Sequence, residues 1–379
     1  MKDKIFKKTF LVTLPLALIA LGWAFGCGDN KTETSAQNAP APPKVAAAAK
    51  PDQAQPAAQA TPAAQVPPLA QAANSSVPEP EIVVLKVPWP NEPTSPSNIL
   101  LAKELGFLKK NYLDFEYVGV VPSPQYVAAL VGGKIDVSPG AHINRTIAGI
   151  SAGARVKAVV ANTETTQRIP HMVALVTKTS QVRKPADLVG KKIGIPTIGG
   201  CNEYTPYAWL KKNGIDDPKT KVEMIVLPEK NLEQVLRQGE IDVAMMHKVP
   251  EDVIKKGEFD IIFSDYEVWG NDGGATPPYF TVQFINERPE VVRRFVTAMA
   301  DTINWSNANM REAINVTARL TNQDPKNLSE RYYSPNGLIK PIHAQVWIDL
   351  LTEFGEIKPG LTVDQVFTNE FNPYYKPAS

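Results

Sequence analysis

From Ile82 onward the chain alternates short β-branched runs with stretches whose apolar residues recur every three or four positions. The first kind predicts strands at 82–87, 115–121, 135–137, 156–160 and 172–177, and the second predicts helices at 98–110, 125–131 and 144–152. The pattern then restarts. Strands are expected at 192–195, 221–227, 241–245, 259–263 and 279–285, with helices at 203–213, 231–238 and 251–256. After Arg288-Pro289 the periodicity becomes helical throughout, over 290–307, 310–321, 325–333, 343–354 and 362–366. Strands alternating with helices argue for two α/β units with parallel-type sheets, followed by a helical tail.

One local sequence occurs in both units. Leu130-Val131-Gly132-Gly133-Lys134-Ile135-Asp136-Val137 resembles Leu236-Arg237-Gln238-Gly239-Glu240-Ile241-Asp242-Val243. Each is a helix end, a glycine that allows the left-handed turn stopping the helix, a charged residue and a short Ile-Asp-Val run. A generic helix-to-strand junction would read the same way. Its occurrence at equivalent places favours two lobes of matching topology.

The segment before Ile82 has a different character. Lys2, Lys4, Lys7 and Lys8 precede an apolar run from Phe10 to Phe25 that is short for a membrane span. Residues 1–26 read as a signal peptide, and Ala24-Phe25-Gly26-Cys27 resembles a bacterial lipoprotein cleavage site with Cys27 as the lipidated residue. Residues 27–80 are rich in Ala, Pro, Gln, Ser and Thr and lack apolar periodicity, so they are expected to form a disordered tether reaching about 40 Å from the membrane. An extracytoplasmic, lipid-anchored domain follows from these two segments. Charge is balanced, 40 Lys+Arg against 39 Asp+Glu, so no nucleic-acid partner is expected. With Cys27 lipidated, Cys201 is left without an intramolecular partner.

The folded part resembles a family. Gly106-Phe107-Leu108, the stretch 125–137, the loop Gly140-Ala141-His142 and above all Lys184-Pro185-Ala186-Asp187-Leu188-Val189-Gly190-Lys191-Lys192 are similar to segments of solute-binding proteins of ABC transporters. The relevant branch serves nitrate, taurine, alkanesulfonates and thiamine-precursor pyrimidines. The resemblance implies a two-lobed type II periplasmic binding protein fold, with residues 81–176 plus 279–379 as the first lobe and 177–278 as the second. Two crossings, near 175–178 and 277–279, would form the hinge. It further implies a monomer that closes around a small-molecule solute and hands it to ABC permease and ATPase subunits, with no cofactor and no enzymatic activity.

Loops just past strands or at helix starts should line the cleft, as open α/β sheets dictate. They offer Trp89 as a platform, Asn91, Ser123, Gln125, His142 and Glu164 from the first lobe, and Gly199, Gly200, Cys201, Asn202 and His247 from the second, with Tyr279 at the second crossing. Glycines at 199 and 200 let backbone N–H groups approach a ligand at a helix N-terminus. His142, His247 and Cys201 could supply three metal ligands across the cleft. Their separations match no local metal motif, and hydrogen bonding to a polar solute is the preferred reading, so no metal is assigned. His171 falls at the hinge strand, and His343 is expected to start a surface helix. Acidic Glu164 and Glu203 beside basic Lys248, without a dense arginine cluster, favour a sulfonate or taurine-like zwitterion, an organic acid or a heterocycle over a bare planar oxyanion. Two other classes compete: a sensory protein presenting ligand to a membrane receptor, and an enzyme related to the thiamine-pyrimidine synthases. The latter carry a cysteine-rich motif that this chain lacks.

Overall fold

A computed structural model describes residues 80–377 apart from 91, 248 and 250–254. The expected signal segment, Cys27, the tether to residue 79, Asn91, Lys248 and most of the expected helix 251–256 therefore lie outside the described residues. Among the described residues no helix is long and apolar enough to cross a membrane.

The first lobe begins with β1 (Val83–Val87), paired in parallel with β2 (Leu113–Tyr117). The intervening helical stretch is two helices, α1 (Asn98–Glu104) and α2 (Phe107–Lys110), divided where Gly106 takes a left-handed conformation. After α3 (Tyr126–Val131) and α4 (Ile143–Ser151) come β3 (Val156–Ala158) and the two-residue β4 (Thr163–Glu164).

The chain then enters the second lobe through β5 (Val173–Thr177), β6 (Lys192–Ile195), α5 (Cys201–Lys212), β7 (Glu223–Val226), α6 (Glu229–Arg237), β8 (Val243–Met246), β9 (Phe259–Ser264) and α7 (Asp265–Trp269). Its sheet has the order β7-β6-β8-β5-β9; β6 is parallel to β7 and β8, while β5 is antiparallel to both neighbours. All four residues of β8 are buried, as a central strand covered on both faces requires. The return through β10 (Tyr279–Thr281), α8 (Val282–Glu287), α9 (Pro289–Ala308), α10 (Met310–Leu320), β11 (Tyr332–Tyr333), α11 (Pro341–Glu353) and α12 (Val363–Val366) completes the first lobe. There β10 pairs antiparallel with β3, and β11 with β4.

The repeated Ile-Asp-Val sequence has a shared physical role. Asp136 N–H donates to Lys86 O at 2.9 Å while its carboxylate accepts from Lys86 N–H at 2.7 Å. Asp242 does the same to Lys192, at 2.8 and 2.9 Å. In each lobe one aspartate closes a two-bond ring onto an adjacent strand, β1 in the first and β6 in the second. The preceding glycines, Gly133 and Gly239, hold φ of 68° and 75°, which a side chain would strain.

Four expectations are corrected, the first being the run 135–137, which forms no strand even though Asp136 bonds to Lys86. The run 279–285 is a strand only to Thr281, whose hydroxyl accepts from Phe284 N–H at 3.1 Å and starts α8. The stretch 325–333 is not a helix; Pro325–Asn327 is one 3-10 turn and β11 follows. The first crossing does not lie at 175–178, because β5 pairs with β9 from Val173 to Thr177 and so belongs wholly to the second-lobe sheet. The boundary moves from 176 to before Val173.

The first-lobe core gathers Leu85, Val87, Phe115, Phe280 and Phe295 between the strands and α9. Between the lobes runs an apolar seam. Tyr204 and Tyr207 of α5 meet Phe354, and Trp347 of α11 lies 4.8 Å from Trp269 and 6.3 Å from Tyr204 between ring centres.

Candidate functional site

Four side chains meet where the lobes face each other. His142 is the residue before α4, in the first lobe. Cys201 opens α5 after the N-cap Gly200, and His247 follows β8, both in the second. His171 stands just ahead of β5, at the crossing. Their nearest ligand atoms all lie within 4.8 Å of one another. Cys201 Sγ is 3.5 Å from His142 Nε2 and 3.8 Å from His247 Nε2. The His142 and His247 rings stack at 5.6 Å, and His171 meets both edge-on at 5.2 and 5.0 Å.

The cluster is dry. His171 and Cys201 are 5% and 3% exposed, and among the described residues neither ring nitrogen of His171 has a hydrogen-bond partner. Burial, reinforced by neighbouring His247, Arg145 and Arg331, holds His142 well below the ordinary imidazole value; burial and then Arg331 do the same for His171. Burial, then Asp265, pushes the Cys201 thiol well up. Behind the cluster, Glu229 accepts from His247 N–H at 2.6 Å and its other oxygen sits 2.8 Å from His247 Nδ1, which directs Nε2 at the thiol. Asp265, its carboxyl pushed up to about 6 by burial, accepts from Thr165 and from Met172 N–H at 3.2 Å.

Two arginines fasten the lobes around this centre. Arg145 of α4 donates through Nη1 to Ser123 Oγ at 2.8 Å, through Nε to Gly199 O at 3.0 Å, and through Nη2 to Thr197 Oγ1 and Ile198 O, both at 2.9 Å. Asn144 adds a bond to Gly199 O at 2.9 Å. Arg331, 4% exposed, donates to Pro170 O at 3.1 Å and to His247 O at 2.8 Å.

Of the residues expected from sequence, His142, Cys201 and His247 converge. Ser123, Gly199, Gly200 and Asn202 border them through Arg145 and the 197–202 turn, where Asn202 Nδ2 binds Thr197 O at 3.1 Å. Trp89 instead lies edge-on against Tyr117 at 4.9 Å, Gln125 is exposed at the start of α3, and Tyr279 is buried in its strand opposite Ala158. Glu164 pairs with Lys340 and with His343 at 3.8 Å, so its charge is answered within the first lobe. His343 is 1% exposed rather than on a surface helix face. Sequence reasoning missed Arg145, Arg331 and the part played by His171. Arg145 stands three residues after His142, one turn on, which was a usable signal; Arg331 was hidden in a stretch read as helix.

The Glu164 pair gives a pH-dependent expectation. Burial raises its pKa, but the hydrogen bond from Lys340 and the nearby His343 imidazole outweigh that and hold it below the ordinary carboxylate value. A carboxyl depressed in the folded state adds stability above its unfolded pKa and loses it as pH falls through the folded one. Lys340→Ala should therefore cost on the order of 1–3 kcal/mol near pH 7, with the gap to wild type closing only below about pH 4, in urea unfolding at about pH 7 and about pH 3. An equal gap at both would show that the ion pair is not its source.

Lobes, mixed sheets and a cleft-centred site define a two-lobed α/β binding fold of the type II periplasmic kind. The chain matches the family model described as NMT1/THI5 like over residues 94–313, more than half its length, and belongs to that family. No curated protein matches it by sequence. Solved structures share the fold. The alkanesulfonate-binding protein SsuA from Xanthomonas axonopodis pv. citri, bound to MOPS, aligns with a TM-score of 0.59 and 18% identity over 76% of this chain and 99% of its own. The ligand-binding component of an ABC-type import system from Staphylococcus aureus, solved with zinc bound, gives 0.62 and 14% over 78% and 100%. The desulfurization enzyme DszB gives 0.55 and 14% over 76% and 97%.

Proposed function

We propose that this chain is the substrate-binding component of an ABC importer, held outside the cytoplasm by a lipid on Cys27, and that it captures a small polar solute between its lobes and delivers it to a permease. The observation that carries this reading is the convergence of both lobes on one buried polar centre fastened by Arg145, whose four bonds reach across the cleft to 197–199 and back to Ser123. A ligand bound there favours the closed arrangement by as much as it binds that arrangement better than the open one. Family membership and the binding proteins of the same fold support the solute-binding role. An enzymatic reading through Cys201 is disfavoured, since reactive cysteines sit partly exposed and Cys201 is 3% exposed.

The test is ATP hydrolysis by an ABC permease and ATPase from the same host, reconstituted in lipid vesicles. The chain purified from its own host should raise the rate several-fold. Arg145→Ala should lose most of that rise and show a larger radius of gyration in solution scattering. No stimulation, or capture by the outer domain of a membrane kinase instead, would overturn the importer reading and favour sensing.

A further inference from the structure

We infer that the ligand of the cleft is a single transition-metal ion, zinc(II) by the character of the donors, held by His142, His171, Cys201 and His247. The inference deepens the solute-capture reading and rests on it for the ion's role as cargo.

Three imidazole nitrogens and one sulfur make a donor set suited to tetrahedral zinc. In such a site, bonds of about 2.3 Å to sulfur and about 2.0 Å to nitrogen place those two atoms roughly 3.5–3.6 Å apart. The sulfur here lies 3.5 and 3.8 Å from two imidazole nitrogens. Cys201 Sγ lies one atom's width from two imidazole nitrogens, and all four donors lie within 4.8 Å of one another, which does not admit a sulfonate or a heterocycle among them without parting the rings. His171 is the independent sign. A buried imidazole with both nitrogens unpartnered is unfavourable, and a metal ion in the cluster would engage one of them.

The surroundings agree. Metal-binding imidazoles are commonly oriented by a carboxylate on the far nitrogen, and Glu229 stands in that position on His247. The two nearby guanidinium groups oppose a cation, while Glu229 and Asp265 supply the answering charge. Beside the site, a cavity of about 570 Å³ between the lobes is lined by Glu92, Glu229, Glu233 and Asp324 against Lys230 and Lys326; it is acidic on balance and touches the carboxylate that backs His247, though none of the four proposed ligands lines it. Because His142 belongs to one lobe and Cys201 and His247 to the other, the ion would bridge them, which ties binding to closure.

The experiment uses the folded mature chain stripped with chelator and dialysed against zinc(II), with cobalt(II) as the spectroscopic probe. One ion per chain is expected. The cobalt form should show the intense visible bands of a tetrahedral centre and a near-ultraviolet sulfur-to-cobalt charge-transfer band. Cys201→Ser should abolish that band, and Glu229→Gln should weaken zinc binding roughly 10–100-fold. His171→Gln should weaken it at least about tenfold, in line with losing one donor bond. The wild-type spectrum needs no variant, so a misfolded variant does not blunt the test. Zinc taken up at less than one ion per chain, weak octahedral-type cobalt bands, or an unchanged Cys201→Ser spectrum would overturn the inference. If zinc fails while taurine or an alkanesulfonate raises the melting temperature, solute capture stands and the metal reading alone falls. If zinc binds but the permease is not stimulated, the site holds metal and the importer reading falls.

Discussion

Trp347→Ala is expected to lower the unfolding free energy by about 3–5 kcal/mol and to expand the folded molecule. Trp347 is 2% exposed and touches second-lobe rings, Trp269 at 4.8 Å and Tyr204 at 6.3 Å. Truncation leaves a cavity on the seam, and the lobes share that surface, so loss of packing and loss of closure should arrive together. Phe295→Ala separates the two effects. Phe295 is fully buried among Phe115 at 6.3 Å and Phe280 at 5.1 Å, all within the first lobe. It should cost a similar amount of stability with no change in radius of gyration. Urea unfolding and solution scattering on both variants decide the matter. A Trp347→Ala protein as compact as wild type would mean that the arginine contacts alone hold the lobes together.

Arg331→Met should be as damaging for a different reason. The methionine fills part of the volume, yet the carbonyls of Pro170 and His247 lose their donor, and Asp265 loses an opposing charge nearby. Removing one partner from a buried charged network typically costs about 3–5 kcal/mol. Arg331→Lys should recover only part of this, because an ammonium cannot span two carbonyls as the planar guanidinium does. A loss below about 1 kcal/mol for Arg331→Met would show that water or a shifted side chain takes over both carbonyls.

Much of the fold could be read from the chain because its signals are local. Helix-ending glycines, β-branched runs and the paired Ile-Asp-Val segments each depend on neighbours within a few residues, and the aspartate rings at Lys86 and Lys192 account for the pairing. The errors also have local causes. Thr281 ended a strand that apolar content alone would have continued to Ile285. Pro325 began only a single turn, and the strand behind it carried Arg331 inward. The site was harder to see. His142, His171, Cys201 and His247 come from four separate segments of the chain, and only the packing of two sheets and a seam brings them together. No spacing rule reaches that far. His171 in particular looks from sequence like an ordinary residue before a buried strand.

The first lobe is assembled from both ends of the described chain, with Tyr279 paired to Ala158 and Tyr332 to Glu164, whereas the second lobe draws every sheet strand from between Val173 and Ser264. A chain emerging from its N-terminus can therefore complete the second lobe while the first is still half-made. Until α9 arrives, the apolar faces of Leu85, Phe115 and Val159 lack the part of their cover that Phe295, Val296 and Met299 supply. That interval, during which a later segment must close over an earlier one, is when the nascent protein is most exposed to aggregation, and it sets the point at which a holding chaperone would matter most.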